Sequence, residues 1–143
     1  YLNGVNDPGN VGTIIRSGLA FGFKNIIFDE NCADLYNFKT INAAKDALFK
    51  VNFLDDKELS WLKKNKNKLA IYTSSSHKGK ALSGFKPENI FCLVLGSESH
   101  GVDEKIMKLA KDNIKIEMNT ELESLNVASA AAILLYKLNQ LKK

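Results

Sequence analysis

A chain of 143 residues, 45% hydrophobic and 25% charged, has the size and composition of a single globular domain, which excludes a disordered chain and leaves no room for a second fold. Its longest nearly apolar stretch, residues 127–136, falls well short of the roughly 20 residues that cross a bilayer, and no charged-then-apolar leader opens the sequence, so a cytoplasmic protein is expected. The formal net charge of +4 suits a polyanionic partner but is too small to identify one.

Short apolar runs alternate with longer helical patterns, the signature of an α/β fold on a mainly parallel sheet with helices on both faces. Strands are expected over residues 1–5, 25–28, 69–73, 90–95 and 114–116, each short enough to be fully buried. After the first of them, "NDPGNVGTIIRSG" (residues 6–18) reads as a strand end, a Pro/Gly turn and a helix start. Asn10 is the expected N-cap, and Val11, Ile14, Ile15, Gly18 and Leu19 recur at the spacing of one buried stripe, with Arg16 off it. Such a turn aims backbone N–H groups and the positive end of the helix dipole at any bound anion, although a plain βα turn needs the same glycines. The spacing is neither GxGxxG nor a Walker loop. Helices are expected next over residues 40–49 and 56–66; the second ends in "KKNKNK", which reads as solvated surface charge or as an RNA contact.

Further on, "LVLGSESHGV" (residues 93–102) is a buried strand ending at Gly96, a polar loop containing Glu98, then Gly101 and a helix over about 103–111. In open α/β sheets ligands sit at the carboxyl ends of strands, where a glycine lets backbone approach closely. Glu98 orients a ligand group there or caps the following helix. In "IKIEMNTELESLNVASAAAILLY" (residues 114–136) a strand passes through a long polar loop into a final helix over about 125–141, with Ser124 as the natural N-cap and Asn126 on the first turn. The first half of that helix is apolar on nearly every face, with Ala128, Ala130, Ala131 and Ala132 among Val127, Ile133, Leu134 and Leu135. It is therefore expected to be buried all round, by its own chain or by a second subunit.

Cys32 and Cys92 stand alone, without CxxC or Cys/His spacing, so neither a disulfide nor a zinc site is indicated and no metal is expected. Nineteen of the twenty cations are lysines, and the lone arginine is Arg16. A planar, permanently charged fork has uses that an ammonium cannot replace, or the arginine sits there by chance.

Taken in order, the three segments resemble the three motifs of the SpoU (TrmH-like) branch of the SPOUT RNA methyltransferases, over essentially the whole chain. "NDPGNVGTIIRSGLAFG" carries Asn10 and Arg16 at the marked positions of the first motif; "LVLGSESHGV" carries Gly96, Glu98 and Gly101 of the second; "ESLNVASAAAILLY" carries Ser124, Leu125 and Asn126 of the third. The resemblance implies a deep trefoil knot near the C-terminus, in which S-adenosylmethionine is held around Thr73, Gly96, Gly101, Ile116, Met118 and Leu125. It also implies a homodimer through the C-terminal helix, and methyl transfer to a ribose 2′-hydroxyl of RNA by Arg16, Asn10, Glu98, Ser124 and Asn126.

By the same likeness 23S ribosomal RNA is expected before transfer RNA. Family members that act on ribosomal RNA usually carry a separate N-terminal RNA-binding domain, which a chain beginning at Tyr1 would have lost. Two departures stand ahead of the third motif, where Glu117 replaces a proline and Thr120 a glycine. They leave open a catalytically weak knotted RNA-binding protein; transfer-RNA methylation and a base acceptor are further alternatives. A guanidinium has no acceptor atom, so Arg16 is expected to grip a target phosphate and stabilise the developing alkoxide, the proton leaving through a phosphate oxygen or water. Asn10 and Glu98 are expected to orient Arg16, with Ser124 and Asn126 shaping the pocket.

Overall fold

The computed structural model describes residues 1–119 and 121–141. Its strands are β1 (Leu2–Asn3), β2 (Asn25–Asp29), β3 (Asn52–Asp56), β4 (Ala70–Ser75), β5 (Lys80–Ala81), β6 (Phe91–Gly96) and β7 (Asp112–Lys115). They form one sheet in the order β3-β2-β1-β6-β4-β7-β5, and every pairing is parallel. The helices are α1 (Pro8–Ala20), α2 (Phe38–Ala44), α3 (Ser60–Asn65), α4 (Glu104–Met107) and α5 (Val127–Gln140), with 3-10 turns at Lys45–Phe49 and Leu82–Gly84.

Side chains of a strand alternate between faces, and here the alternation feeds two cores. Ile26, Tyr72, Leu93 and Leu95 join Val11, Ile14 and Ile15 of α1, Ala44 of α2 and Leu134 and Leu138 of α5. Their neighbours Ile27, Ile71, Cys92 and Val94 join Leu62 of α3 and Ile106 of α4 on the opposite face. Helices thus cover both faces, as an all-parallel sheet requires.

Strand order reverses beside β1. From β1 the sheet grows through β2 to β3 on one side, and through β6, β4 and β7 on the other. A crevice opens at the carboxyl edge of such a switch point. Register fixes what stands there: Asn3 pairs with Gly96, and Ser75 with Lys115. The segments following β1, β6, β4 and β7 therefore leave the sheet at one edge.

Several local expectations are corrected. Asp7, not Asn10, caps α1: its Oδ1 accepts from the Asn10 N–H at 2.8 Å, and Pro8 occupies the first helical position, where no N–H is needed. Asn126, not Ser124, caps α5, accepting from the N–H groups of Ala128 and Ser129 at 2.9 and 3.2 Å. The helix expected from residue 56 starts at Ser60, because Asp56 ends an unexpected strand, β3. The buried Asp56 carboxylate accepts from Ser60 Oγ at 2.9 Å, the Trp61 N–H at 2.7 Å and Tyr1 Oη at 3.0 Å. Strand β5 is also unexpected; two residues carry no periodicity. The chain itself buries α5 along Ala128, Ala131, Leu135 and Leu138, and leaves Ser129, Ile133 and Tyr136 as an exposed stripe on the other side, so of the two covers expected for this helix its own chain supplies only part.

Helix α1 packs against both α2 and α5, and Gly12 sets its distance from α2. A Cβ added at Gly12 would lie 2.6 Å from Ala43 Cβ and closer still to the Thr40 carbonyl oxygen. Helix propensity alone favours alanine there by about 1 kcal/mol, whereas overpacking against backbone costs about 1–3 kcal/mol. Gly12→Ala is therefore expected to lower stability in a denaturant melt; a stabilised variant would show that the two helices are not in this contact.

Candidate active site

Three motif segments meet through side-chain amides and one carboxylate. Asn10 Nδ2 donates to Glu98 Oε1; Asn126 Nδ2 donates to Asn10 Oδ1 at 3.1 Å and to Glu98 Oε1 at 3.4 Å. Asn10 sits in the first turn of α1, Glu98 in the loop after β6, and Asn126 at the N-cap of α5, positions separated in sequence by up to 116 residues. Asn126 uses its whole amide: the oxygen caps α5 while the NH2 group binds the other two loops.

The loop that carries Glu98 is closed on itself. Ser97 and Gly101 exchange backbone hydrogen bonds of 3.1 and 2.9 Å, so Glu98, Ser99 and His100 project at its tip. A Cβ on Gly96 would overlap the Gly101 backbone, and Gly101 has φ +69°, a conformation that favours glycine. Both glycines of this motif are thus required by the turn itself.

Beside this cluster lies a cleft of about 430 Å³, within the range of small-molecule sites. Its walls come from residues 74–77 at the end of β4 and just beyond it, 96–102 from the last residue of β6 onward, and the segment between β7 and α5, with Ile114, Met107 and Leu134 behind them. Of the residues expected to hold the cofactor, Gly96, Gly101, Ile116, Met118 and Leu125 line it. Thr73 does not. It is buried within β4, two residues before the strand ends, with its Oγ1 bonded to Asn113 Oδ1 of β7, and Ser74 to His77 take its place in the cleft wall. Sequence reasoning missed those four residues, together with His100: Ser74 and Ser75 extend β4 beyond its expected end at residue 73, and a polar loop without periodicity gives no sign of which way it faces.

Glu98 and Ser124 also line the cleft; Arg16 does not. Arg16 is exposed and lies six residues beyond Asn10, about 9 Å along the helix axis and roughly 120° around it. Neither Asn10 nor Glu98 is bonded to it; their partner is Asn126.

Glu117, at the proline departure, accepts from the Ser83 N–H at 3.3 and 3.4 Å, tying the segment after β7 to the 3-10 turn after β5. The Ser83 side chain first, and backbone N–H groups including that of Ser83 after it, hold its carboxyl below the usual range. Thr120 lies outside the described residues. The Cys32 thiol is pushed up to about 12, chiefly by burial and then by Asp29, and is unsuited to act as a nucleophile. Among the described residues no group of three or more His, Cys, Asp or Glu side chains could hold a metal ion. No helix among them is long and apolar enough to cross a membrane.

With this geometry in place, comparison with known proteins is informative. The model of the family described as SpoU rRNA methylase matches residues 1–136. The 23S rRNA (guanosine(2553)-2′-O)-methyltransferase RlmP of Bacillus subtilis is 31% identical over 138 residues, covering 96% of this chain and 56% of that protein. A TrmH-family structure from Porphyromonas gingivalis superposes with a TM-score of 0.87 at 31% identity, covering 97% of this chain and 57% of its own. The SpoU methyltransferase AviRb from Streptomyces viridochromogenes, solved in complex with the cofactor AdoMet, shares the fold with a TM-score of 0.88 at 24% identity over 97% of this chain and 55% of its own. The chain spans about half the length of the relatives it matches.

Two outcomes test the site as built. Asn126→Ala is expected to cost about 1–2 kcal/mol of stability through the lost cap, while Asn126→Ser, which still caps, recovers most of it; equal losses in the two melts would exclude capping as the source. A depressed carboxyl pKa means the Glu117 contact is present above the ordinary carboxylate range and lost as pH falls through its lowered value. At neutral pH, Glu117→Ala should therefore remove hydrogen-exchange protection from the Ser83 amide, and unchanged protection would contradict the contact.

Proposed function

We propose that this chain, which belongs to the SpoU rRNA methylase family, is the catalytic part of an S-adenosylmethionine-dependent RNA methyltransferase acting on a ribose 2′-hydroxyl of 23S ribosomal RNA. The observation that carries the reading is the cleft built where the three motif segments meet, with Asn10, Glu98 and Asn126 hydrogen-bonded together beside it. The ribosomal substrate is supported by the relative from Bacillus subtilis, a 23S rRNA 2′-O-methyltransferase.

The chemistry of the cleft suits the methyl donor. Ile116, Met118, Leu125 and Leu134 offer an apolar wall for an adenosyl group, and the backbone of residues 96–101, beside Glu98, offers polar partners for its ribose and amino-acid parts. The donor supplies a methyl group on a sulfonium centre, open to in-line attack by an oxygen. The attacking hydroxyl must shed its proton, which a charged guanidinium cannot take. Arg16, which stands outside the cleft, therefore holds a phosphate of the target strand, and the proton leaves through a phosphate oxygen or water. Glu98 and the two asparagines keep the cleft mouth in one shape, and Ser124 contributes to its rim. Arg16 acts on RNA that crosses α1 on its way to the cleft.

The same reading includes a C-terminal knot, which the resemblance to the SpoU family implies. It also includes a homodimer through α5, whose exposed Ser129, Ile133 and Tyr136 give a second copy a small, partly apolar face. The enzyme works in the cytoplasm, where its RNA is.

Mapping of ribose methylation in 23S ribosomal RNA from cells with and without the gene tests the reading, which expects one methylated position to disappear. An unchanged map, or a chain that takes up no S-adenosylmethionine in calorimetry, contradicts it. Arg16→Lys, which keeps the charge and loses the fork, is expected to lower turnover on the order of 100-fold with cofactor affinity retained. Near-normal turnover would remove Arg16 from the chemistry.

A further inference from the structure

Three aromatic rings stand almost fully in solvent within one short stretch: Tyr36 is 82% exposed, Phe38 76% and Phe49 84%. Elsewhere in the described chain the aromatic rings are buried or half-buried, and only Tyr136, at 52%, is otherwise exposed. Burying three such rings would have stabilised the fold, so their exposure calls for a partner rather than a packing explanation.

Their position follows from how α2 docks. Thr40, Ala43 and Ala44 face α1, with Thr40 and Ala44 fully buried and Ala43 against Gly12. That leaves Phe38 in solvent at the start of α2; Lys45, where the chain leaves the helix with φ +56°, is also exposed, and in the 3-10 turn that begins there Ala47 is buried and Phe49 is exposed. Arg16 lies one turn after Gly12 on α1 and so leaves the helix on the side that faces α2. The Asp46 carboxyl, held below its usual range first by its bond to Lys50, also feels Arg16, which agrees with that placement. Among the described residues Arg16, Lys39 and Lys45 carry no ion pair, whereas Asp46 is neutralised by Lys50 at 2.6 Å.

Polar and cationic residues separate the three rings: Asn37, Lys39, Asn42 and Lys45 interrupt them. A protein-binding patch is depleted of lysine at its centre. Rings interleaved with uncompensated cations are what an unpaired nucleic-acid strand needs, since each base offers a face for stacking and each phosphate a charge. We propose that Tyr36, Phe38 and Phe49, with Arg16, Lys39 and Lys45, form a stacking platform for single-stranded RNA leading to the target nucleotide. This deepens the RNA-methylation reading and rests on it. The platform selects unpaired over duplex RNA, because bases within a helix are already stacked on one another.

The test is fluorescence anisotropy of the 143-residue chain with a labelled oligouridylate of about 12 nucleotides, beside a blunt duplex RNA of the same length. Tyr36→Ala, Phe38→Ala and Phe49→Ala are each expected to weaken single-strand binding about five- to tenfold, at the low end of base–aromatic stacking. Tyr36→Phe, Phe38→Tyr and Phe49→Tyr should restore it, and duplex binding should not move. Circular dichroism melts check that each variant folds. Lys39→Gln and Lys45→Gln should each reduce the slope of log affinity against log salt by about 0.7. Alanine variants that bind the oligouridylate as tightly as the parent would overturn the platform while leaving the methyltransferase reading in place. So would variants that keep RNA affinity but change self-association, which would make the patch a contact between copies. A parent chain that binds neither RNA also overturns the platform, while the methyltransferase reading is tested separately by the methylation map and the S-adenosylmethionine titration.

Discussion

One carboxylate oxygen organises the mouth of this molecule. Glu98 Oε1 receives the side-chain amides of Asn10 and Asn126, and so ties the start of α1, the loop after β6 and the start of α5. Both helices direct their N-terminal ends at that point, so the positive poles of two dipoles meet the negative charge. The sheet makes this convergence possible. All pairings are parallel and the order reverses beside β1, so the loops that follow β1, β6, β4 and β7 leave from one edge. Removing the carboxylate would leave three loops whose mutual position depends only on the helices behind them.

The clamp and the cleft divide the labour. Asn10, Glu98 and Asn126 are hydrogen-bonded to one another, and the cleft wall beside them mixes polar residues of the loops after β4 and β6 with apolar side chains such as Ile116 and Leu125. Arg16 stands apart from both, on the side of α1 that faces α2. A chemically active group outside the ligand cleft makes sense when the second reactant is large. An RNA strand lying across α1 spans a distance that no small substrate would.

Much of this was legible in the sequence, and the reasons differ from place to place. The α/β class followed from alternating apolar runs, and the β6 pattern of Leu93, Val94 and Leu95 reads correctly as a strand buried on both faces. The resemblance in motif order and spacing led to seven of the residues that line the cleft, Gly96, Glu98, Gly101, Ile116, Met118, Ser124 and Leu125. Strand β3 was not legible because its only fully buried side chain is Asp56, so it shows no apolar period. Both cap assignments went wrong for one reason: near a helix start the sequence offers two suitable residues, Asp7 or Asn10 and Ser124 or Asn126, and backbone geometry chooses between them. That α5 has more apolar surface than its own chain covers was suspected from the sequence, but which residues form the stripe was not legible, because Ile133 and Tyr136 are as apolar as the buried residues around them. No sequence rule separates an apolar face that meets its own core from one that is left for a partner.

Calorimetric titration of S-adenosylmethionine into Asn10→Ala, Glu98→Ala and the double variant tests the central claim most directly. If the amide and the carboxylate act as one clamp, the double variant should lose little more affinity than the worse single variant, with a coupling of about 0.5–3 kcal/mol. Losses that simply add would mean that the two residues act independently, and the account of the cleft mouth would fail.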